Sequence, residues 1–228
     1  MQLADIADRF VTAGLALRGG FHPQEPDGVP LLPDGRRPAT VVLVGNVGGS
    51  MWGAFARSAE IADGALHPLD RWTLRVVGAV ADELGAAALF PFGGPPYLPF
   101  QRWAMRGESV APSPLGILIH PDYGLWHAYR AALSFAEILA LPPRADRAHP
   151  CDGCRDKPCL SACPVGAFTG RNYDLPACIR HIDAPAGGDC MDGGCLSRHA
   201  CPVGREFAHA PAQASFHMQA FRRSNRQP

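Results

Sequence analysis

Charge is scarce in this chain. Only 18% of its 228 residues are charged, and 21 basic residues balance 21 acidic ones. That balance leaves no basic footprint of the kind nucleic-acid binding draws on, which argues against a nucleic-acid partner. Long apolar runs are missing as well, since no stretch approaches the roughly twenty residues of a membrane span. The opening residues carry Asp5 and Asp8 and no basic segment leading into an apolar one, so no secretory signal is expected there. A soluble, cytoplasmic protein with no membrane partner is the expectation. Cysteine is absent before Cys151.

What is present in excess is glycine (25) and proline (23), so loops should be many and helices interrupted. An apolar fraction of 47% is that of an ordinary globular protein, and the length allows one sizeable core with a small satellite. Leu3, Ile6, Phe10, Val11 and Leu17 predict an amphipathic helix over 3–17, stopped by Gly19 and Gly20. Thr40 to Val44 reads as a buried strand, followed by a glycine-rich turn at Gly45, Gly48 and Gly49. Those glycines do not complete G-x-G-x-x-G, so either a close backbone approach to a ligand or a plain turn is expected. Pro68 and Gly85 bracket a helix whose stripe is Leu69, Trp72, Val76, Val80 and Leu84. Ala86 to Phe90 and Gly116 to Ile119 read as strands, with an irregular proline- and aromatic-rich loop between them. The period of 125–139 fits strand and helix equally. Pro142, Pro143 and Pro150 mark a linker. The last stretch, 206–221, predicts a short helix broken at Pro211. Arg222, Arg223 and Arg226 read as a solvated basic tail, and Phe216 and Phe221 as residues that dock it.

The linker opens onto all eight cysteines: Cys151, Cys154, Cys159, Cys163, Cys178, Cys190, Cys195 and Cys201. The first four stand in C-D-G-C-R-D-K-P-C-L-S-A-C-P and the last two in C-L-S-R-H-A-C-P. Two Cys-Pro endings resemble a bacterial two-cluster ferredoxin, in which close cysteines hold one cluster and the Cys-Pro cysteine reaches the other. Eight thiolates suffice for two 4Fe–4S clusters. Zinc would suit the Cys-x-x-Cys at Cys151 and Cys154 but leaves the Cys-Pro pair unexplained. Disulfides would need an oxidising compartment. The spacings Cys154-x4-Cys159 and Cys190-x4-Cys195-x5-Cys201 are wider than the ferredoxin ones, so spacing alone does not pair ligand with cluster.

Two further resemblances follow. The segment H-P-D-Y-G-L-W-H-A-Y-R, with an aliphatic strand before it, is similar to the His-Pro-x-x-Gly-x-Trp-x-x-x-Arg stretch of cblC-type cobalamin-processing proteins. H-P-L-D-R-W-T-L-R-V-V is similar to a helix of that family. The resemblance covers residues 40–140 and implies a nitroreductase-like domain that binds B12 base-off and removes its upper ligand. It would set His120, Gly124 and Trp126 beside the corrin, with Gly48 and Gly49 as further pocket candidates. The cysteine stretch resembles the cluster module of epoxyqueuosine reductases, where a lone cysteine in a C-I context separates two groups. Here that cysteine is Cys178, in A-C-I-R-H-I. The resemblance implies Cys151, Cys154, Cys159 and Cys201 around one cluster, and Cys163, Cys178, Cys190 and Cys195 around the other. Two departures bear on substrate: the chain lacks a basic surface for transfer RNA, and it lacks Asp-x-His-x-x-Gly. His120 is therefore expected as an indirect or propionamide contact and not as an axial cobalt ligand.

The expected fold class is α+β, with a nitroreductase-like cobalamin-binding domain over 1–145 and a ferredoxin-like two-cluster domain with a tail over 146–228. The expected function is reduction of bound cobalamin or reductive removal of its upper ligand, fed by ferredoxin, flavodoxin or another reductase. Tyr97, Tyr123 and Tyr129 are candidate proton donors to a small substrate. Two alternatives stay open: a dicluster electron carrier without corrinoid, and a flavin–iron–sulfur reductase with FMN or FAD in the first domain.

Overall fold

The valine-rich run at Thr40–Val47 is a strand in the computed structural model, which describes residues 1–226. Strands β1 (Ala16–Phe21), β2 (Thr40–Val47), β3 (Ala87–Leu89) and β6 (His127–Phe135) form one antiparallel sheet in the order β1-β2-β6-β3. A separate two-stranded pairing joins β4 (Ala111–Pro112) to β5 (Leu118–Ile119). Val41 to Val44 are all buried, on both faces of β2, because successive side chains of a strand point to opposite sides and both sides are covered here. The molecule is α+β.

The sheet unit also carries helices α1 (Leu3–Asp8), α2 (Trp52–Phe55), α3 (Ala59–Ala62), α4 (Pro68–Leu84) and α5 (Phe100–Gly107), of which α4 packs on β3 and β6 and α5 on β1 and β2. The cysteine-rich chain carries α6 (Pro158–Ser161), α7 (Leu175–Asp183), α8 (Gly188–Gly193), α9 (Leu196–His199) and α10 (Pro211–Asn225). α4 starts at Pro68 and ends at Gly85 in the left-handed conformation, as the punctuation predicts. Its buried face is Leu69, Trp72, Thr73, Val77, Val80 and Ala81, so the stripe is turned by about one position from Val76 and Leu84.

Several expectations are corrected. The helix over 3–17 ends at Asp8, and a short 3₁₀ turn at Val11–Ala13 leads into β1 from Ala16. Gly14 forces this: its φ is +65°, and a Cβ there would stand 2.0 Å from the carbonyl oxygen of Ser50. Pairing with β2 then wins over helical periodicity. The aromatic loop after β3 holds a helix, α5, whose Phe100 and Trp103 are buried. Residues 125–139, whose period fits strand and helix equally, hold the inner strand β6 at His127–Phe135. Pro211 does not break the last helix but starts it, since the first helical position needs no N–H.

The chain divides into two compact units. One comprises residues 1–109 and 127–146, and the other Val110–Trp126 with the chain from Arg147 onward. A boundary near 145 is therefore not the whole division, because the excursion 110–126 packs with the cysteine-rich chain. Leu115, Ile119 and Leu125 share a buried cluster with Cys159 and Cys201. Among the described residues no helix is long and apolar enough to cross a membrane.

Candidate functional site

Short, sharply ended segments place the cysteines of the second unit. Cys151 and Cys154 lie in one turn, closed by the Cys154 N–H on the Cys151 carbonyl at 3.3 Å. His149 accepts the Cys151 N–H on Nδ1 at 3.0 Å and reaches the Pro112 carbonyl through Nε2 at 3.0 Å. Pro158 opens α6 and carries Cys159 into the interior. The Asp174 carboxylate caps α7 by accepting the Ala177 N–H at 2.9 Å, which orients Cys178 one turn on. Cys190 lies in α8, Cys195 immediately precedes α9, and Cys201 follows it.

The eight sulfurs fall into two sets of four. Cys151, Cys154, Cys159 and Cys201 act electrostatically on one another. Cys163, Cys178, Cys190 and Cys195 do likewise. The second set lines one small concavity together with Phe168, Ile182, Leu196 and Met218. None of the eight is in a disulfide. Among the described residues, no three or more His, Cys, Asp or Glu side chains close around a single metal ion.

Burial first, and then the neighbouring sulfurs, push the thiols of Cys151, Cys159 and Cys178 up. Opposing this, donors point at the sulfurs. The Ala167 N–H reaches Cys163 Sγ at 3.3 Å. Backbone N–H groups also reach Cys190 from Leu196, Cys195 from Ser197 and Arg198, and Cys201 from Val203. The Tyr173 hydroxyl bonds Cys178, and its ring stacks on Phe168 at 4.6 Å. Such donors stabilise thiolate over thiol.

Arg198 is a functional candidate that sequence reasoning missed. Its guanidinium donates to the Leu125 carbonyl from Nη2 at 2.6 Å and from Nε at 3.2 Å. It lies over the Trp126 ring, 4.3 Å from the centroid. Burial pushes its pKa down to about 10, with the Cys195 sulfur acting in the opposite direction. The one trace in sequence is a cation placed between two cysteines in C-L-S-R-H-A-C, which composition does not separate from a solvated arginine.

The pocket candidates have local structural duties. His120 Nδ1 accepts the N–H groups of Asp122 (3.0 Å) and Tyr123 (3.2 Å), so its neutral form carries the proton on Nε2. Its ring stacks on Tyr123 at 4.2 Å. Gly124 has φ +56°, and a Cβ there would stand 1.9 Å from the Val203 carbonyl oxygen. Trp126 is 2% exposed, with His199 and His209 edge-on to it. These three residues thus lie together in the cysteine-bearing unit. Gly48 and Gly49 lie in the other unit, in the turn after β2, where the Asn46 side-chain amide donates to the Gly48 carbonyl at 3.1 Å. The Ser50 hydroxyl donates to the Gly14 carbonyl at 2.7 Å, so this turn makes its close approach to the protein's own backbone.

The sheet unit holds a second feature not foreseen. Arg18, 2% exposed, pairs bidentately with Glu108 (Nε–Oε1 3.0 Å, Nη2–Oε2 2.8 Å) and donates to the Asn46 carbonyl at 3.2 Å. The Tyr129 hydroxyl donates to Glu108 Oε2 at 2.6 Å, and burial followed by the Glu108 charge pushes its pKa up. Tyr129 is thus bound to a carboxylate, Tyr123 is stacked on His120, and Tyr97 is exposed at 68%.

No protein-family model and no curated protein matches the chain. Among solved structures it is similar in fold to the B12-trafficking protein CblC of C. elegans, a homologue of human MMACHC. The two are 13% identical and superimpose with a TM-score of 0.52, over 96% of this chain and 94% of the other. An epoxyqueuosine reductase solved with an epoxyqueuosine-modified tRNA stem loop is 14% identical, with a TM-score of 0.46, over 93% of this chain and 71% of that one. Epoxyqueuosine reductase from Bacillus subtilis is 13% identical, with a TM-score of 0.49, over 91% and 67%. The first likeness concerns the fold alone, and the other two are too distant to carry an argument. These comparisons give no support to the expectation of no nucleic-acid partner.

Proposed function

We propose that the chain is an iron–sulfur protein that passes single electrons to a bound corrinoid, reducing it or removing its upper ligand. The observation that carries this reading is the grouping of all eight cysteines into two sets of four within one unit. The donor chemistry fits a thiolate-bound cluster. Four sulfurs line one concavity with mostly apolar neighbours, and N–H and O–H donors point at sulfur where a free thiol would need none. Cys151, Cys154, Cys159 and Cys201 would hold one 4Fe–4S cluster, and Cys163, Cys178, Cys190 and Cys195 the other. When bound, these groups supply one-electron transfer at low potential, which corrinoid reduction demands.

The corrinoid half of the reading is supported by the cblC-like segment from His120 to Arg130 and by the fold shared with a B12-trafficking protein. The resemblance carries His120, Gly124 and Trp126 to the corrin, and these three lie together in one unit. His120 has the chemistry of a donor there, because Nδ1 is engaged as an acceptor and Nε2 keeps the proton.

The test is a titration of anaerobically purified, cluster-loaded protein with hydroxocobalamin and cyanocobalamin, read by visible absorption. Iron and sulfide are assayed first. Stoichiometric base-off binding, followed by cob(II) or cob(I) bands on adding reduced ferredoxin or flavodoxin, is the expected result. Intact clusters without corrinoid binding would leave a dicluster carrier, and a yellow protein with bound FMN or FAD would leave a flavin reductase. A colourless zinc protein would overturn both halves.

A further inference from the structure

Ser197, in the short helix α9 that follows Cys195, lines the same concavity as Cys163, Cys178, Cys190 and Cys195 and is 1% exposed. Its hydroxyl oxygen is buried and makes no hydrogen bond among the described residues. A hydroxyl withdrawn from water costs free energy unless it is bonded, and buried hydroxyls in folded proteins are normally bonded. Alanine would fill nearly the same space with no polar atom to satisfy, so packing alone does not explain a serine here. The wall around it is otherwise sulfur and apolar carbon, from residues such as Phe168, Ile182, Leu196 and Met218. His181, a further polar side chain on this wall, takes no bond from it. An acceptor for Ser197 therefore belongs to what the four sulfurs hold.

We propose that the Ser197 hydroxyl donates a hydrogen bond to a sulfur of the cluster held by Cys163, Cys178, Cys190 and Cys195, and so raises the reduction potential of that centre. This deepens the cluster reading above and rests on it. Taking one electron from a donor of the ferredoxin or flavodoxin class makes the centre one charge more negative. No covalent bond forms or breaks, and the proton stays on the Ser197 oxygen. A hydrogen bond to sulfur strengthens as the sulfur becomes more negative, so it favours the reduced state. The Ala167 N–H already donates to Cys163 Sγ at 3.3 Å, but a backbone donor survives side-chain substitution, which isolates the hydroxyl. Ser161, which follows Cys159 of the first set by two residues as Ser197 follows Cys195, is exposed and donates to the Pro158 carbonyl at 3.3 Å.

The experiment is a redox titration, followed by electron paramagnetic resonance, of anaerobically loaded wild type, Ser197→Ala and Ser197→Thr. Cys178→Ser protein identifies the signal belonging to the second set. With Ser197→Ala, the reduced-to-oxidised ratio of that signal at fixed potential is expected to fall about tenfold, a shift of ~59 mV for one electron. The other signal should stay within about twofold of wild type, ~18 mV by the same constant. Ser197→Thr should restore most of the ratio, because it keeps the hydroxyl. If Ser197→Ala fails to hold the centre while Ser197→Thr holds it near the wild-type potential, the hydroxyl requirement is equally supported. An unmoved potential in Ser197→Ala, both signals shifting together, or threonine shifting or losing the centre as alanine does would overturn the inference. Wild-type protein that takes up no iron and sulfide would instead overturn the cluster reading itself.

Discussion

Glu108 accepts three bonds, two from Arg18 and one from Tyr129, around a guanidinium that is almost wholly out of water. Removing one partner of such a pair leaves the other charge uncompensated, which costs more than the pair contributes. Glu108→Gln is expected to destabilise the protein by about 3 kcal/mol, measured by urea unfolding. A loss below about 1 kcal/mol would mean that water reaches Arg18 and replaces the carboxylate. Glu60 makes a pH-dependent contribution of the opposite exposure: it is buried while its partner Arg75 is half in solvent. The Arg75 hydrogen bond holds the Glu60 carboxyl down to about 2. A folded pKa below the unfolded one means that the stabilisation is complete above about 4.5 and is lost as pH falls toward about 2. Denaturation at a series of pH values should therefore show wild type losing its advantage over Glu60→Gln across that window. A constant difference between them would remove the ion pair as its source.

At the scale of elements, the loop from His120 to Gly124 is shaped by backbone approach. The His120 and Gly124 backbones bond each other in both directions, at 2.8 and 3.0 Å, and Gly124 sits under the Val203 carbonyl. Gly124→Ala is expected to cost at least about 2 kcal/mol, from the left-handed φ and the clash together. Thermal unfolding of the metal-free protein checks this without a corrinoid. Unchanged stability there would leave ligand contact as the reason for glycine. The same scale shows what sequence made legible. α4 was readable because proline, glycine and a 3.6-residue stripe agree over five turns' worth of chain. β2 was readable from its unbroken aliphatic run. β6 was not, because H-A-Y-R-A-A-L-S-F alternates in neither period: its first half is half-buried and its second half is buried on both faces. At α10 proline occupies the first helical position, and at α5 it is the residue just before the helix, so proline alone does not tell a break from a start.

For the whole molecule, the two sets of cysteines make separable predictions. Cys151→Ser and Cys178→Ser should each lower bound iron and sulfide by about half after anaerobic reconstitution, and the double variant should hold almost none. If either single variant lost both centres, the two sets would form one cooperative assembly. Equal loss from a zinc-loaded protein, with no sulfide at any stage, would discard the clusters.

By itself the sequence showed cysteines gathered after residue 150 with two Cys-Pro endings, because such endings are local signals. The α+β class and the segment from His120 to Trp126 came from the resemblance that segment carries to cblC-type proteins. Only the tertiary structure decided which unit that segment joins. Whether 110–126 stays with the sheet or leaves it depends on packing between residues far apart in sequence, such as Leu125 with Cys201. The same holds for Arg18 with Glu108. A charge removed from water is invisible in composition, since one arginine looks like another until the fold decides what surrounds it.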